Sequence, residues 1–149
     1  MTVINVEVDV DARAERAWEV VSDPRNLANW DRHIAGVQDV PPTGLREGSV
    51  YVTVMRFMGM RIRVPSKVIE WDPPQRATFR LKGPIEATVT TTITSRGDER
   101  CALAHEVDYR FRGGPLGELA SRSLAKVGGA QYALRRGALA QKRDIERHG

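Results

Sequence analysis

The chain has 149 residues, of which 41% are hydrophobic and 28% charged, as in an ordinary globular protein. A chain of this length buries one sizeable core, and we expect a single domain over residues 1–149. Cys101 is the only cysteine, which excludes an internal disulfide and favours a reducing compartment. No signal-like segment opens the sequence and no apolar run approaches the roughly 20 residues of a membrane span, so we expect a cytoplasmic protein without such a span.

The formal net charge of +4 raises the question of nucleic-acid binding. The basic residues alternate with apolar ones in strand-like stretches, as at Arg61 and Arg63, or lie among acidic residues near the C-terminus. This distribution is typical of a solvated face, and it lacks the aromatic-interleaved basic stripe of a nucleic-acid surface. The sequence therefore speaks against nucleic acid as a partner.

The first part of the chain predicts one strand and two short helices. Residues 2–10 alternate apolar and polar side chains with period two, which predicts a half-buried strand. Asp11 has the chemistry of an N-cap, and we expect it to start a short helix that runs to Asp23. Asp23 and Pro24 form a second helix start, because proline is favoured at the first helical position, and this helix carries Trp30.

The middle of the chain consists of strand-like runs separated by turn residues. Short connections rich in glycine and proline between such runs indicate an antiparallel meander. The predicted strands are residues 36–40, 49–57, 60–71, 77–82, 85–95 and 100–112.

After Gly113 the hydrophobic period becomes helical, which predicts one long helix from about residue 115 to about residue 145. One stripe of this helix carries Leu116, Leu119, Ser123, Leu124, Val127, Leu134, Ala138, Gln141 and Ile145. Gly128 and Gly129 lie inside it, and two interior glycines cost about 2 kcal/mol relative to alanines. The pair fits a kink, a break, a close approach of the backbone to sheet or ligand, or a plain helix boundary.

This order of elements predicts an α+β domain. A sheet of six to seven antiparallel strands has one face to cover, and the terminal helix is the only predicted element long enough to cover it. We therefore expect a strongly curved sheet that wraps around the C-terminal helix. A twisted sheet that holds one helix leaves space near the two short helices, so we also expect a cavity there.

Four stretches of the chain are similar to one known family. They are AWEVVSDP at residues 17–24 with Leu27 and Trp30 after it, LREGS at 45–49, EWDPPQR at 70–76 and FRGGPLG at 111–117. Over its whole length the chain thus resembles the START-like (helix-grip, SRPBCC) superfamily, and within it the polyketide cyclase/dehydrase and lipid-transport family. The resemblance implies a helix-grip fold with a pocket for a hydrophobic small molecule.

The same resemblance bears on catalysis. The aromatase/cyclases of the family pair a serine on the central strand with an arginine two residues further on, and commonly add a tyrosine from the short-helix region. This chain has the serine, Ser66, but carries Val68 and Val37 at the positions of the arginine and the tyrosine. The departure speaks against cyclisation and leaves ligand binding unaffected.

Strand parity predicts which side chains face the cavity, because successive side chains of a strand point to opposite faces. In the last strand, Leu103, His105 and Tyr109 share an apolar face, whereas the other face is charged. The candidate ligand-binding residues are Trp30, Tyr51, Ser66, Val68, Leu103, His105, Tyr109, Leu124, Val127 and Leu134. The sequence has no metal-ligand spacing and no nucleotide motif, so we expect no metal and no other cofactor.

His105 is the candidate catalytic residue. A neutral imidazole can polarise a carbonyl or transfer a proton near physiological pH. The alternative is a core histidine whose nitrogens are satisfied by Tyr109, Ser66 or a buried water.

We predict from the sequence that the protein binds a small hydrophobic or amphipathic molecule, such as a polyketide, a lipid or an isoprenoid-like compound, between the sheet and the C-terminal helix. Two alternatives stay open. One is a polyketide cyclase/dehydrase with His105 as acid/base, and the other is a protein- or ribosome-interaction module that uses the basic surface. No sequence pattern indicates an oligomeric state.

Overall fold

The computed structural model describes residues 2–57, 59–111, 113–114 and 129–147. The strands are β1 Thr2–Val10, β2 Ile34–Gln38, β3 Val50–Phe57, β4 Met60–Asp72, β5 Arg76–Lys82, β6 Ile85–Ser95 and β7 Cys101–Phe111. The helices are α1 Ala14–Val21, a 3-10 turn Pro24–Asn26, α2 Leu27–Trp30 and α3 Ala130–Arg147. Within these described residues no helix is both long enough and apolar enough to cross a membrane.

Seven strands form one antiparallel sheet in the order β1-β7-β6-β5-β4-β3-β2. Strands β2 to β7 follow one another as a meander. The first strand, β1, pairs with the last, β7, so that Val6 lies opposite His105. The predicted antiparallel sheet is confirmed, and every strand end lies within two residues of its predicted position.

The predicted alternation of buried and exposed side chains is also observed. In β4, Val64, Ser66 and Val68 are buried, whereas Arg63 and Lys67 are exposed. Valines alternating with long charged side chains suit a strand that has one face on the core and one in water. The buried face is the one that turns toward α3.

Helix α3 lies along β1, the edge strand of the sheet. Gln131 Nε2 donates to the backbone carbonyl of Asn5 at 2.8 Å, and Lys142 Nζ donates to the carbonyl of Asp9 at 2.6 Å. These bonds satisfy carbonyls that an edge strand cannot pair with a further strand. The helix is thereby held beside β1 and over the inner face of β7.

The described part of the terminal helix begins after Gly129. The φ of Gly129 is 94°, in the left-handed region that glycine adopts without a steric cost, and α3 begins at the next residue, Ala130. Gly129 is therefore not part of a helix, which excludes a helix that runs unchanged through this position. Residues 115–128, including Gly128, lie outside the described part of the chain.

The two N-cap predictions had different outcomes. Asp11 as the cap of the first helix is wrong, because α1 begins only at Ala14 and the Asp11 carboxylate instead accepts from Arg100 at 3.2 Å. Asp23 is confirmed as a cap, since its side chain accepts a hydrogen bond from the backbone amide of Arg25 at 3.0 Å.

A solid core fills one end of the space between sheet and helix. Trp18 of α1 and Ile145 of α3 meet there with Leu103 of β7, and all three are buried. The rings of Trp18 and Trp71 pack edge to face with centroids 5.0 Å apart. Because α1 closes this end of the fold, the open space lies toward α2 and the N-terminal end of α3.

Candidate ligand-binding cavity

A cavity of about 290 Å³ lies between the inner face of the sheet and α3. The sheet contributes side chains such as Tyr51 of β3, Phe79 of β5 and Val89 of β6. The region of α2 contributes Leu27 and Trp30. Most of the lining is apolar, which is the usual character of a small-molecule site.

Small side chains on α3 keep this space open. Ala130, Ala133, Gly137 and Ala138 recur at helical spacing and line the cavity. A Cβ at Gly137 would meet only the carbonyl oxygen of Trp30, at 3.7 Å. The helix can therefore approach α2 closely without filling the cavity with its own side chains.

Five of the predicted ligand-binding residues lie at the cavity wall, namely Trp30, Tyr51, His105, Tyr109 and Leu134. Their contact with a ligand stays a prediction. Ser66, Val68 and Leu103 are buried but do not line the cavity, and Leu103 belongs to the solid core under α1. Leu124 and Val127 lie outside the described residues.

Larger cross-strand neighbours explain why two inner-face side chains miss the cavity. Ser66 is paired with Tyr51 on one side and with Leu81 on the other, and both of these longer side chains line the cavity. Val68 is opposite Phe79, which also lines it. Strand parity gives the face of a side chain but not its depth: Ser66 and Val68 lie on the inner face without bordering this cavity, and their contact with a ligand stays a prediction.

His105 is only 7% exposed and lies at the cavity wall with both ring nitrogens hydrogen-bonded. Its Nε2 is 2.5 Å from Gln141 Oε1, an atom that can only accept, so Nε2 carries the proton. Nδ1 then accepts from the hydroxyl of Thr91 at 2.8 Å. Burial lowers the pKa of His105, although the bond to Gln141 opposes this, and the ring is neutral at physiological pH.

The partners of His105 differ from those predicted. Neither Tyr109 nor Ser66 bonds the ring; Thr91, directly opposite on β6, and Gln141 on α3 do so. The ring thus has the satisfied hydrogen bonds of a core histidine and still borders the cavity.

Gln141 is a cavity residue that was not predicted from the sequence. It is 8% exposed, and its Oε1 is engaged by His105. No described residue accepts a hydrogen bond from its Nε2, which is left as a donor at the cavity. The available signal was a polar amide between Ala138 and Ile145 on the mainly apolar stripe of the helix, since a buried amide needs a partner.

Two tyrosines add hydroxyl groups to the apolar wall. Burial raises the pKa of Tyr51 to about 12, although a hydrogen bond from Thr53 opposes the shift, so this phenol stays neutral. The ring of Tyr109 packs edge to face against Phe111 with centroids 5.7 Å apart. The cavity can therefore offer hydrogen-bond donors at a few points without carrying a charge there.

Asp31 and His33 lie side by side at the α2 end of the cavity. The Asp31 carboxylate accepts from the backbone amide of His33 at 2.8 Å and lies 3.1 Å from its Nδ1. Across the described ranges no three His, Cys, Asp or Glu side chains come together in a way that could hold a metal ion. This pair therefore orders the loop before β2 and forms no metal centre with a third such group.

A curved antiparallel sheet that holds one helix over an apolar cavity defines a START-like, helix-grip protein. The chain belongs to the polyketide cyclase/dehydrase and lipid transport family, because a model of that family matches residues 1–143. The family membership predicted from the four sequence stretches is confirmed.

The chain is also similar to individual proteins, either in sequence or in fold. An uncharacterised protein of Mycobacterium tuberculosis strain H37Rv is 34% identical over 127 residues, which cover 83% of this chain and 89% of the relative. A START superfamily protein from Mycobacterium smegmatis has a TM-score of 0.70 at 18% identity, over 99% of both chains. An aromatase/cyclase from Streptomyces sp. R1128 has a TM-score of 0.71 at 18% identity, over 99% of this chain and 94% of that one. At this level of identity the two solved structures show the shared fold alone.

Proposed function

We propose that the protein binds a small hydrophobic or amphipathic molecule, of the polyketide, lipid or isoprenoid-like kind, in the cavity between its sheet and α3. The observation that carries the proposal is the mainly apolar cavity of about 290 Å³, bounded on one side by α3. Membership of the polyketide cyclase/dehydrase and lipid transport family supports the same conclusion.

Apolar burial alone gives such a ligand only modest affinity. Covering roughly 300 Å² of ligand surface at ~25 cal/mol per Å² contributes about 7 kcal/mol. The loss of translational and rotational freedom on association costs at least about 4 kcal/mol. Useful affinity therefore requires a few polar contacts as well.

Tyr51, Tyr109 and Gln141 can supply those contacts. All three line the cavity and carry a hydroxyl or amide group that can donate a hydrogen bond. Such donors suit a ligand with a carbonyl, hydroxyl or ether oxygen on an otherwise apolar body.

The cavity is tested by filling it from the sheet. Ala87 of β6 lines the cavity opposite Tyr109, so Ala87→Trp should place an indole in the ligand's space. We expect the affinity for a neutral fluorescent apolar probe to fall by at least about 10-fold, because overpacking by this amount costs about 1–3 kcal/mol. Affinity is measured by fluorescence titration, and Ala87→Leu serves as a milder version of the same change.

Thr88→Trp is the matched control. Thr88 is the next residue of the same strand and points to the opposite face, so the same indole there should leave probe binding unchanged. Circular dichroism checks that each variant is folded. Wild-type affinity in a folded Ala87→Trp protein would show that the cavity is not the binding site.

Acid/base catalysis by His105 is the weaker candidate. Both ring nitrogens already have partners, at Thr91 and Gln141, so a substrate would have to displace one of them. The hydroxyl of Ser66 is likewise engaged, with Thr53 at 2.9 Å. These contacts favour a binding protein over a cyclase/dehydrase.

A further inference from the structure

A second concavity adjoins the cavity on the outer side of α2. It has a volume of about 250 Å³ and lies between the α2 region and α3. The lining residues that it shares with the cavity are Trp30, Asp31, His33 and Ala133. The two spaces are therefore separated by no more than the thickness of these side chains.

Three arginines line this second space, which we call the arginine groove. Arg32 directly follows α2, and Arg136 and Arg143 lie two turns apart on one face of α3. All three are exposed, and none has a carboxylate partner among the described residues. Asp31 is the acidic residue in the lining; its carboxylate already accepts a hydrogen bond from the backbone amide of His33 and lies 3.1 Å from the Nδ1 of that residue.

The charge of the arginine groove fits an anion. Three guanidinium groups against one carboxylate leave a formal excess of two positive charges in the lining. Like charges that converge on one concavity repel each other, and a bound anion relieves that repulsion. A guanidinium matches the geometry of a carboxylate or phosphate with two parallel hydrogen bonds.

We propose that the arginine groove binds the acidic headgroup, a carboxylate or a phosphate, of an amphipathic ligand whose apolar part occupies the cavity. The inference rests on the proposed function, because it takes the cavity as the site of the apolar part. Trp30 forms part of the shared wall, and its Nε1 donates to Asp144 Oδ2 at 3.2 Å, which fixes the indole between the two spaces. One molecule can thus reach from the apolar cavity to the arginines.

The test compares two ligands with the same alkyl chain, decanoic acid, which is anionic at neutral pH, and its neutral methyl ester, methyl decanoate. Each displaces a neutral fluorescent probe from the wild-type protein, at low and at high salt. We expect the acid to bind at least about 5-fold more tightly than the ester at low salt, and the difference to shrink at high salt, because exposed charges are screened. Decyl phosphate, tested in the same way, tells a phosphate preference from a carboxylate preference.

The double variant Arg136→Gln/Arg143→Gln should bind the acid and the ester equally, with the affinity for the ester unchanged. Arg135→Gln is the matched control, since Arg135 is exposed on the same helix but lines neither space, and it should keep the preference for the acid. A wild-type protein without this preference, or a double variant that retains it, would overturn the inference.

Two other outcomes also decide the matter. If the neutral probe and the ester bind but the acid has no advantage, the proposed function stands and the headgroup site is wrong; if nothing binds, both fail.

Vesicles of phosphatidylglycerol and of phosphatidylcholine form the last comparison. The wild-type protein could sediment with the anionic vesicles alone, the double variant with neither, and neither protein prefer the acid. That result would assign the arginines to a membrane surface instead.

Discussion

The buried imidazole of His105 links the stability of the protein to pH. Burial keeps its pKa in the folded state below the value of 6.5 that it has in the unfolded chain. Between these two values the unfolded chain binds the proton more readily, so the free energy of unfolding decreases as the pH falls. The stability associated with the neutral ring is therefore fully present only well above pH 6.5 and is lost progressively as the pH falls through 6.5 toward the lower pKa of the folded state.

Replacing His105 with glutamine should remove this part of the pH dependence. We expect the free energy of unfolding of the wild-type protein to decrease between about pH 7 and pH 5.5, above the range in which most carboxylates titrate, and that of His105→Gln to change less. Urea titrations at closely spaced pH values measure both slopes. Equal slopes in the two proteins would mean that His105 has the same pKa in the folded and the unfolded state, as a freely solvated ring would.

Helix α3 depends on glycine in two different ways. Gly137 lies inside the helix, where a Cβ would meet only the Trp30 carbonyl at an ordinary contact distance of 3.7 Å. Gly129 lies just before the helix with a φ of 94°, a conformation that residues with a Cβ rarely adopt. The same substitution should therefore have opposite effects at the two sites.

Gly137→Ala should stabilise the protein by roughly 0.5–1 kcal/mol, because alanine is the better helix former and the site accommodates its methyl group. Gly129→Ala should destabilise it by about 1–2 kcal/mol, because alanine is strained at positive φ. Urea unfolding of both variants measures the two differences. If Gly137→Ala were destabilising, α3 and α2 would be in closer contact than described. If Gly129→Ala did not change the stability, the chain would turn differently before α3.

At the scale of the whole molecule, the formal net charge is +4, and some of the exposed arginines are paired with carboxylates. On the sheet, Arg76 contacts Glu70 at 2.8 Å and Arg63 lies 3.8 Å from Asp39. Such exposed pairs add little stability, but they interrupt any continuous positive field that could follow a nucleic-acid backbone. This arrangement favours a small-molecule partner over RNA or the ribosome.

The wild-type protein should accordingly show no saturable binding to a labelled single-stranded RNA at physiological salt. Fluorescence anisotropy measures the binding, and Arg61→Gln/Arg63→Gln tests the exposed basic side chains of β4. Saturable RNA binding by the wild-type protein that weakens steeply with salt, and that the double variant lacks, would instead support the interaction-module alternative. A steep dependence of affinity on salt concentration reports the release of counterions from phosphates.

The order and direction of the elements followed from the sequence alone. Turn residues and period-two patterns placed all seven strands, and β6 begins and ends at its predicted residues. The burial of Ser66 and Val68, beside exposed Lys67, also matched strand parity. These features depend on interactions between residues close together in the chain, so a local pattern is enough to predict them.

Tertiary structure decided which inner-face residues border the cavity and what they bond. Tyr51 reaches the cavity and Ser66 does not, because depth depends on the size of cross-strand neighbours. The bond from His105 to Gln141 joins residues 36 positions apart. The arginine groove likewise brings Arg32 beside Arg136 only after α3 has packed against α2. Periodicity gives the direction of a side chain, whereas its neighbours from distant parts of the chain are set by how the helix and the sheet pack together.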